Sequence, residues 1–217
     1  MQPLIERSKR MNRSALRQLA VLAIAAPCFL PLVHAQGASS SASVAVAPVN
    51  FPRAESDLYF AGIVKNGGFG KFDHTRDPAP IDKQNVIRLN RDTLYSAAVF
   101  DLDAGPVTVT LPESGKRFIS LQVIDEDQYT HGVYYKPGSV TLTRKDIGTR
   151  YVAVAVRTLV DPSNPKDMAE VHALQDKIKA VQRNPGTFEV PAWDPASQKE
   201  IRDALLVLGS KLPDTNH

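Results

Sequence analysis

Val107-Thr108-Val109-Thr110-Leu111 alternates strictly between apolar and polar residues. A period of two places Val107, Val109 and Leu111 on one face and the threonines on the other, as in a half-exposed β-strand. On the C-terminal side, Pro112-Glu113-Ser114-Gly115 supplies a turn and Arg117–Ile124, rich in β-formers, a second strand. Gly132–Tyr135, Ser139–Thr143 and Tyr151–Val160 read as further strands, separated by Pro137-Gly138 and Lys145-Asp146-Ile147-Gly148. Short strands at roughly ten-residue spacing predict an antiparallel β-sandwich or jelly-roll-like core. Tyr151-Val152-Ala153-Val154-Ala155-Val156 is apolar on both faces, which places it at the centre of a sheet.

Helical patterns flank this β-rich middle. Ala54–Asn66 reads as a helix with Leu58, Tyr59, Ile63 and Val64 on one side, stopped at Asn66-Gly67-Gly68. Gly70–Asp82, with Pro78 and Pro80, reads as a loop. After the strands, Asn164 can cap a helix, Pro165 suits its first turn and Asp167 complements its dipole. Met168, Val171, Leu174, Ile178 and Val181 then form a stripe that ends at Asn184-Pro185-Gly186. A last helix runs from about Pro195 to Leu208, with Ile201, Ala204, Leu205 and Leu208 facing inward. The fold class is mainly β with flanking helices (α+β), one helix N-terminal to the sandwich and two C-terminal to it.

Residues 1–35 carry Arg7, Lys9, Arg10, Arg13 and Arg17, then an apolar run from about Leu19 to Leu32, then small residues suited to cleavage between Ala35 and Gln36. The pattern is that of a signal peptide, and Met11 could serve as its start as well as Met1. The run is short for a membrane span and is interrupted by Pro27 and Pro31. Removing residues 1–35 takes five basic residues and one acid, Glu6, so the formal charge falls from +3 to −1. The basic excess therefore belongs to the targeting segment, and neither a nucleic acid nor, after cleavage, a membrane is expected as a partner. Cys28 is the single cysteine and leaves with the signal. The mature chain is expected to lack thiol chemistry, disulfides and Cys-ligated metal. The resulting organisation is a signal peptide over 1–35, a flexible Ser/Ala-rich tether over 36–50, a single domain over 51–212 and a tail over 213–217.

Asn85–Ser96, N-V-I-R-L-N-R-D-T-L-Y-S, interleaves charge with apolar residues. A segment that must be partly buried and still carry charge builds a paired network or a site. Arg91 and Asp92 are adjacent and point to opposite faces of an extended chain, so they are expected to pair elsewhere. Asp125 or Asp127 is the expected partner of Arg91. A buried network that fixes strand register is the favoured explanation. A ligand pocket lined by Asn90, Arg91, Asp92 and Tyr95 is the alternative.

Asn90-Arg91-Asp92-Thr93-Leu94-Tyr95-Ser96, followed by Asp101-Leu102, resembles the signature of the domain-of-unknown-function 1254 family. Arg157-Thr-Leu-Val-Asp161, Val171-His-Ala-Leu-Gln-Asp176 and Phe188-Glu-Val-Pro-Ala-Trp193-Asp194 extend the resemblance over about Phe51 to Leu212. It implies a β-rich, sandwich-like core with accompanying helices in an exported bacterial protein. Longer relatives carry a second β domain, the 1214 unit, after this one. Here the chain ends soon after the last helix, so a short, stand-alone member without that unit is expected. The family's activity is not established, although some members carry esterase-like labels.

Asp125-Glu126-Asp127 with His131 follows a strand, where Asp and His could act as acid and base. His131 with Asp125 or Asp127 is the candidate catalytic set. No EF-hand or histidine metal spacing accompanies these acids, and no cofactor is called for. The G-x-S-x-G elbow is absent, and Ser163-Asn-Pro-Lys166 fits S-x-x-K only across a helix cap. His74 lies in the Gly/Pro loop and His172 beside a helix stripe. Tyr134, Tyr135 and Trp193 could line a groove, although packing suits them as well.

Three functions remain: an exported small-ligand-binding or accessory domain, a periplasmic hydrolase using His131, and a purely structural or interaction domain. A small molecule and a second copy of the chain are the partner classes. Export with cleavage after Ala35 is expected to yield a protein beginning at Gln36. Intact-mass spectrometry of material from the periplasm or medium checks this, and an uncleaved N-terminus there would refute it.

Overall fold

The computed structural model describes residues 43–82 and 90–213, and in them eight strands form two antiparallel sheets with helices at the flanks. The expected signal peptide with its cleavage site at Ala35 and Gln36, the first part of the tether, and Val86, Ile87, Arg88 and Leu89 lie outside the described residues. In chain order the elements are α1 (Phe51–Lys65), β1 (Asp73–His74), β2 (Thr93–Asp101), β3 (Val107–Leu111), β4 (Ile119–Asp125), β5 (Thr130–Tyr134) and β6 (Gly138–Leu142). They continue with α2 (Arg144–Ile147), β7 (Tyr151–Leu159), α3 (Pro165–Gln175), β8 (Lys179–Gln182) and α4 (Pro195–Gly209). One sheet has the order β1-β2-β7-β4-β5 and the other β6-β3-β8.

β7 is the central strand, as its two apolar faces require. It pairs with β2 from Thr93↔Leu159 to Asp101↔Tyr151 and with β4 from Ile119↔Thr158 to Asp125↔Val152. Its inward residues Val152, Val154 and Val156 meet Phe100, Leu121 and Val123 of the same sheet and Val107, Val109 and Leu111 of the smaller one. Each such side chain contributes about 1.5–3 kcal/mol by leaving water. Its outward residues Tyr151 and Ala153 meet Val99 and Phe60, with Ile63, Val64, Phe69 and Phe188 packed around them. The larger sheet is thus covered on one face by the smaller sheet and on part of the other by α1.

Four details depart from the pattern in the sequence. Leu58 and Tyr59 of α1 are exposed, whereas Ala54, Glu55, Ser56, Asp57 and Phe60 are buried. The inward face of α1 is polar because its acids have partners: Glu55 accepts from Gln198 at 2.6 Å and pairs with Arg202, and Asp57 accepts from Trp193 Nε1 at 2.7 Å. α3 is capped by Asn164 as read, but it stops at Gln175. Lys179–Gln182 leaves the helix to pair with β3, which takes Ile178 into the core and leaves Val181 exposed. In α4, Leu205 and Leu208, read as inward, are exposed together with Leu206 and Val207. Finally, residues 43–50, the end of the expected tether, are tied down. Val44 bridges to Trp193, and Val46 N donates to Ser197 Oγ at 2.8 Å.

A buried glutamine joins α3 to the sheet edge. Gln175 is fully buried, and its Nε2 faces Thr75 O and Tyr95 O at 3.2 Å and Ser96 Oγ at 3.3 Å. Its Oε1 accepts from Arg76 at 3.3 Å. Truncation would orphan several buried groups and leave a void. Gln175→Ala is therefore expected to cost on the order of 3 kcal/mol, and Tm in differential scanning calorimetry should fall by about 6–12 °C. An unchanged Tm would contradict this account.

Candidate functional site

The sandwich is unsealed where the chain crosses between sheets. β5 is an edge of the larger sheet and β6 an edge of the smaller one, and only Tyr135-Lys136-Pro137 separates them. Strands that switch sheets turn a corner, so no ladder closes that side. The opening leads to a cavity of about 390 Å³ whose walls include Val109, Leu111, Leu121 and Val140 from the inner faces, with Tyr134, Tyr135, Lys136 and Ser139 at its mouth. That volume lies within the range of small-molecule sites, which are mostly apolar with a few polar groups.

A smaller hollow of about 140 Å³ shares Tyr134 and Val140 with this cavity and is lined by His131, Thr141 and Asp146. His131 reaches it because of a β-bulge. The pairing runs from Leu121↔Tyr134 to Val123↔Gly132 and then steps to Ile124↔Thr130, so His131 is the extra residue of β5. A bulge re-aims a side chain that regular alternation would have sent to the other face. Gly132 makes room beside it: a Cβ there would stand 2.9 Å from the Tyr134 ring and hydroxyl. Tyr134 folds back over the glycine, on the same face as His131.

Asp125 orients the imidazole. Its Oδ2 lies 2.7 Å from His131 Nε2. An ionised carboxylate only accepts, so Nε2 carries the proton and Nδ1 is left as the acceptor of a neutral ring. Asp125 Oδ1 accepts from Asp127 N and Tyr129 N, each at 2.9 Å, and so closes the β4–β5 loop. Within that loop Gln128 holds φ +68°, a left-handed conformation costing about 1–2 kcal/mol without glycine. The two bonds to Oδ1 and a 3.3 Å bond from Gln128 Nε2 to Pro52 O maintain it.

The three acids of the loop have separate roles. Asp127 pairs with Arg53 at 2.6 Å and makes no contact with His131. Glu126 is buried and accepts from Tyr151 N at 2.8 Å. Burial raises its carboxyl above the usual range, and burial raises the Asp57 carboxyl as well. The Asp57 charge adds to the rise at Glu126, and Asp57 Oδ1 is buried without a hydrogen-bond partner among the described residues. Among the described residues no group of three or more His, Cys, Asp or Glu could hold a metal ion.

The expected Arg91 pairing is corrected: Asp125 belongs to His131 and Asp127 to Arg53. Arg91 Nε is buried with no hydrogen-bond partner among the described residues, and Asp92 is exposed, with its carbonyl taken by Val160 N at 2.9 Å. Asn90 and Tyr95 do meet, together with Thr93, in the wall of a hollow of about 300 Å³ that also includes Thr75 and Pro78. Arg91 and Asp92 do not line it among the described residues. His74 makes a 2.7 Å bond to Ser96 Oγ, but Ser96 is buried beneath Gln175, out of reach of a substrate. His172 Nε2 bonds to Arg76 O at 2.7 Å, and Trp193 is held by Asp57. Ser163 Oγ donates to Asp161 at 2.6 Å, and Lys166 enters only through its backbone at the helix cap.

Residues 69–182 match the family model described as "Protein of unknown function (DUF1254)". No curated protein matches the chain in sequence. Among solved structures, the VPA0106 protein from Vibrio parahaemolyticus is similar at 17% identity and a TM-score of 0.48, over 77% of this chain and 51% of that one. The chain thus spans about half the length of that protein. Among the described residues no helix is long and apolar enough to cross a membrane.

Raised carboxyl pKa values set a direction for stability. The folded state holds the Asp57 and Glu126 protons more tightly than the unfolded chain. The stability this contributes is present below the unfolded carboxyl pKa, about 4, and is lost as pH rises through the folded value. Asp57→Asn removes one of the two charges and keeps an acceptor for Trp193. Its Tm is expected to exceed that of the unaltered protein at pH 7, with the gap shrinking toward pH 4. A gap that stays constant across a pH series of thermal melts would exclude this assignment.

Proposed function

Because the chain belongs to the DUF1254 family, whose description names no activity, we propose a function from the geometry: an exported small-molecule-binding protein that takes its ligand between the sheets. The observation that carries the reading is the cavity of about 390 Å³, which reaches Val109, Leu111 and Leu121 of the core and whose neighbouring hollow is lined in part by His131. Val109, Leu111, Leu121 and Val140 would receive an apolar body. His131 Nδ1, with its ring fixed by Asp125, would accept a hydrogen bond from a polar end. Export is supported by the basic start, the short apolar run and the small residues around Ala35.

A second reading, an esterase-like hydrolase, is favoured by the 2.7 Å Asp125–His131 contact. In that reading His131 Nδ1 is a general base acting on water. Among the described residues no hydroxyl is hydrogen-bonded to His131, so a Ser-type nucleophile is not part of it.

Titration with 1-anilinonaphthalene, an uncharged fluorescent apolar probe, separates the readings from their failure. Enhanced emission is expected for the unaltered protein. In Val140→Phe, which fills the cavity from its wall, the affinity should fall by about tenfold or more. Equal binding by both proteins, or none by either, would sink the cavity reading. The hydrolase reading requires p-nitrophenyl ester turnover that disappears in His131→Gln.

A further inference from the structure

We infer that the end of the larger sheet's outer face left open by the described elements is a binding site for a small aromatic carboxylate, centred on Arg157. This goes beyond the proposed cavity, which lies between the sheets and shares Val133 and Tyr135 with this groove. α1 and the Phe188 segment cover the outer face around Val99, Tyr151 and Ala153. Further along β7 the outward residues become Ala155 and Arg157, and a groove of about 340 Å³ opens there. Ala155 is the reason for the space: a larger residue in the central strand would fill the floor.

Six arginines of the described chain are spent on carboxylates: Arg53, Arg76, Arg117, Arg144, Arg150 and Arg202. Arg157 has no ion pair and no side-chain hydrogen bond among the described residues. Register places it between Tyr95 on β2 and Ser120 on β4. Its guanidinium lies over the Tyr95 ring, 5.3 Å from the centroid. That contact orients the planar fork without using its N–H donors, which remain available for a bidentate partner.

The surroundings of Arg157 fit the rest of such a ligand. Thr93 lines the groove and is 7% exposed, and its Oγ1 is buried with no partner among the described residues. Ser120 lies on the floor beside the guanidinium. Phe118 and Tyr135, half exposed and 6.0 Å apart, form one wall. A carboxylate matches the fork and the hydroxyls, and a flat ring matches the aromatic wall. A metal cation or a polyanion such as nucleic acid does not fit one arginine among neutral side chains.

The test is binding of benzoate to the purified protein, followed by NMR shifts and by calorimetry, with acetate and benzyl alcohol as controls. Benzoate is expected to bind at millimolar concentration or below, more tightly than acetate, with benzyl alcohol inert. In Arg157→Gln, whose side chain is on the surface and whose fold is checked by circular dichroism, benzoate affinity should fall by about tenfold or more. Arg157→Lys should recover only part of it, because an ammonium cannot form the bidentate pair. Val140→Phe should leave benzoate binding unchanged, which separates this site from the cavity between the sheets. Absence of benzoate binding, equal binding of acetate, or full binding by Arg157→Gln would each overturn the assignment.

Discussion

β7 must be covered on both faces, and the rest of the molecule follows from that constraint. It is hydrogen-bonded along both sides, to β2 and to β4, so its backbone needs nothing further. Its valines and alanines still have to leave water on each face. The smaller sheet removes one face through β3, and α1 removes part of the other. Where the cover ends, the strand changes character from Ala153 to Arg157. A single strand therefore sets both the core and the boundary between core and usable surface.

The strands were legible because their information is local. Val107–Leu111 has the observed limits of β3, and the two-faced apolar run from Tyr151 became the central strand. The cap at Asn164 was legible for the same reason, since Asn164 Oδ1 accepts from Lys166 N and Asp167 N. β8 was not, because Ile178 and Val181 continue a helical stripe in sequence while the backbone of Lys179–Gln182 is claimed by β3 from far away. The face of α1 was hidden for another reason. Apolar periodicity cannot register a helix that buries acids against Gln198, Arg202 and Trp193.

The candidate site was legible as residue types and hidden as geometry. Asp125 and His131 are near in sequence, and the structure joins them. That Asp127 turns away to Arg53, and that a one-residue bulge aims His131 inward, depends on the register of two strands. Gly132 was the available signal: a glycine inside an edge strand marks a bulge or a close approach. Arg157 carried a weaker one. A cation immediately after a run of alanines and valines stands at the limit of a sheet's cover. Arg91 and Asp92 drew attention by their charge, yet neither holds a described carboxylate or guanidinium.

The two oxygens of Asp125 belong to different jobs: Oδ1 shapes the loop and Oδ2 holds the imidazole. Chain geometry and ring chemistry are thereby fused in one side chain. An amide in its place could keep the loop while offering His131 a donor, and the ring would then have to move its proton from Nε2 to Nδ1. The hollow would keep its shape and reverse its polarity, presenting a proton where it had presented a lone pair. Position 125 is in effect a selector of hydrogen-bond sign, and a relative with Asn there would be expected to favour ligands of the opposite hydrogen-bonding sense.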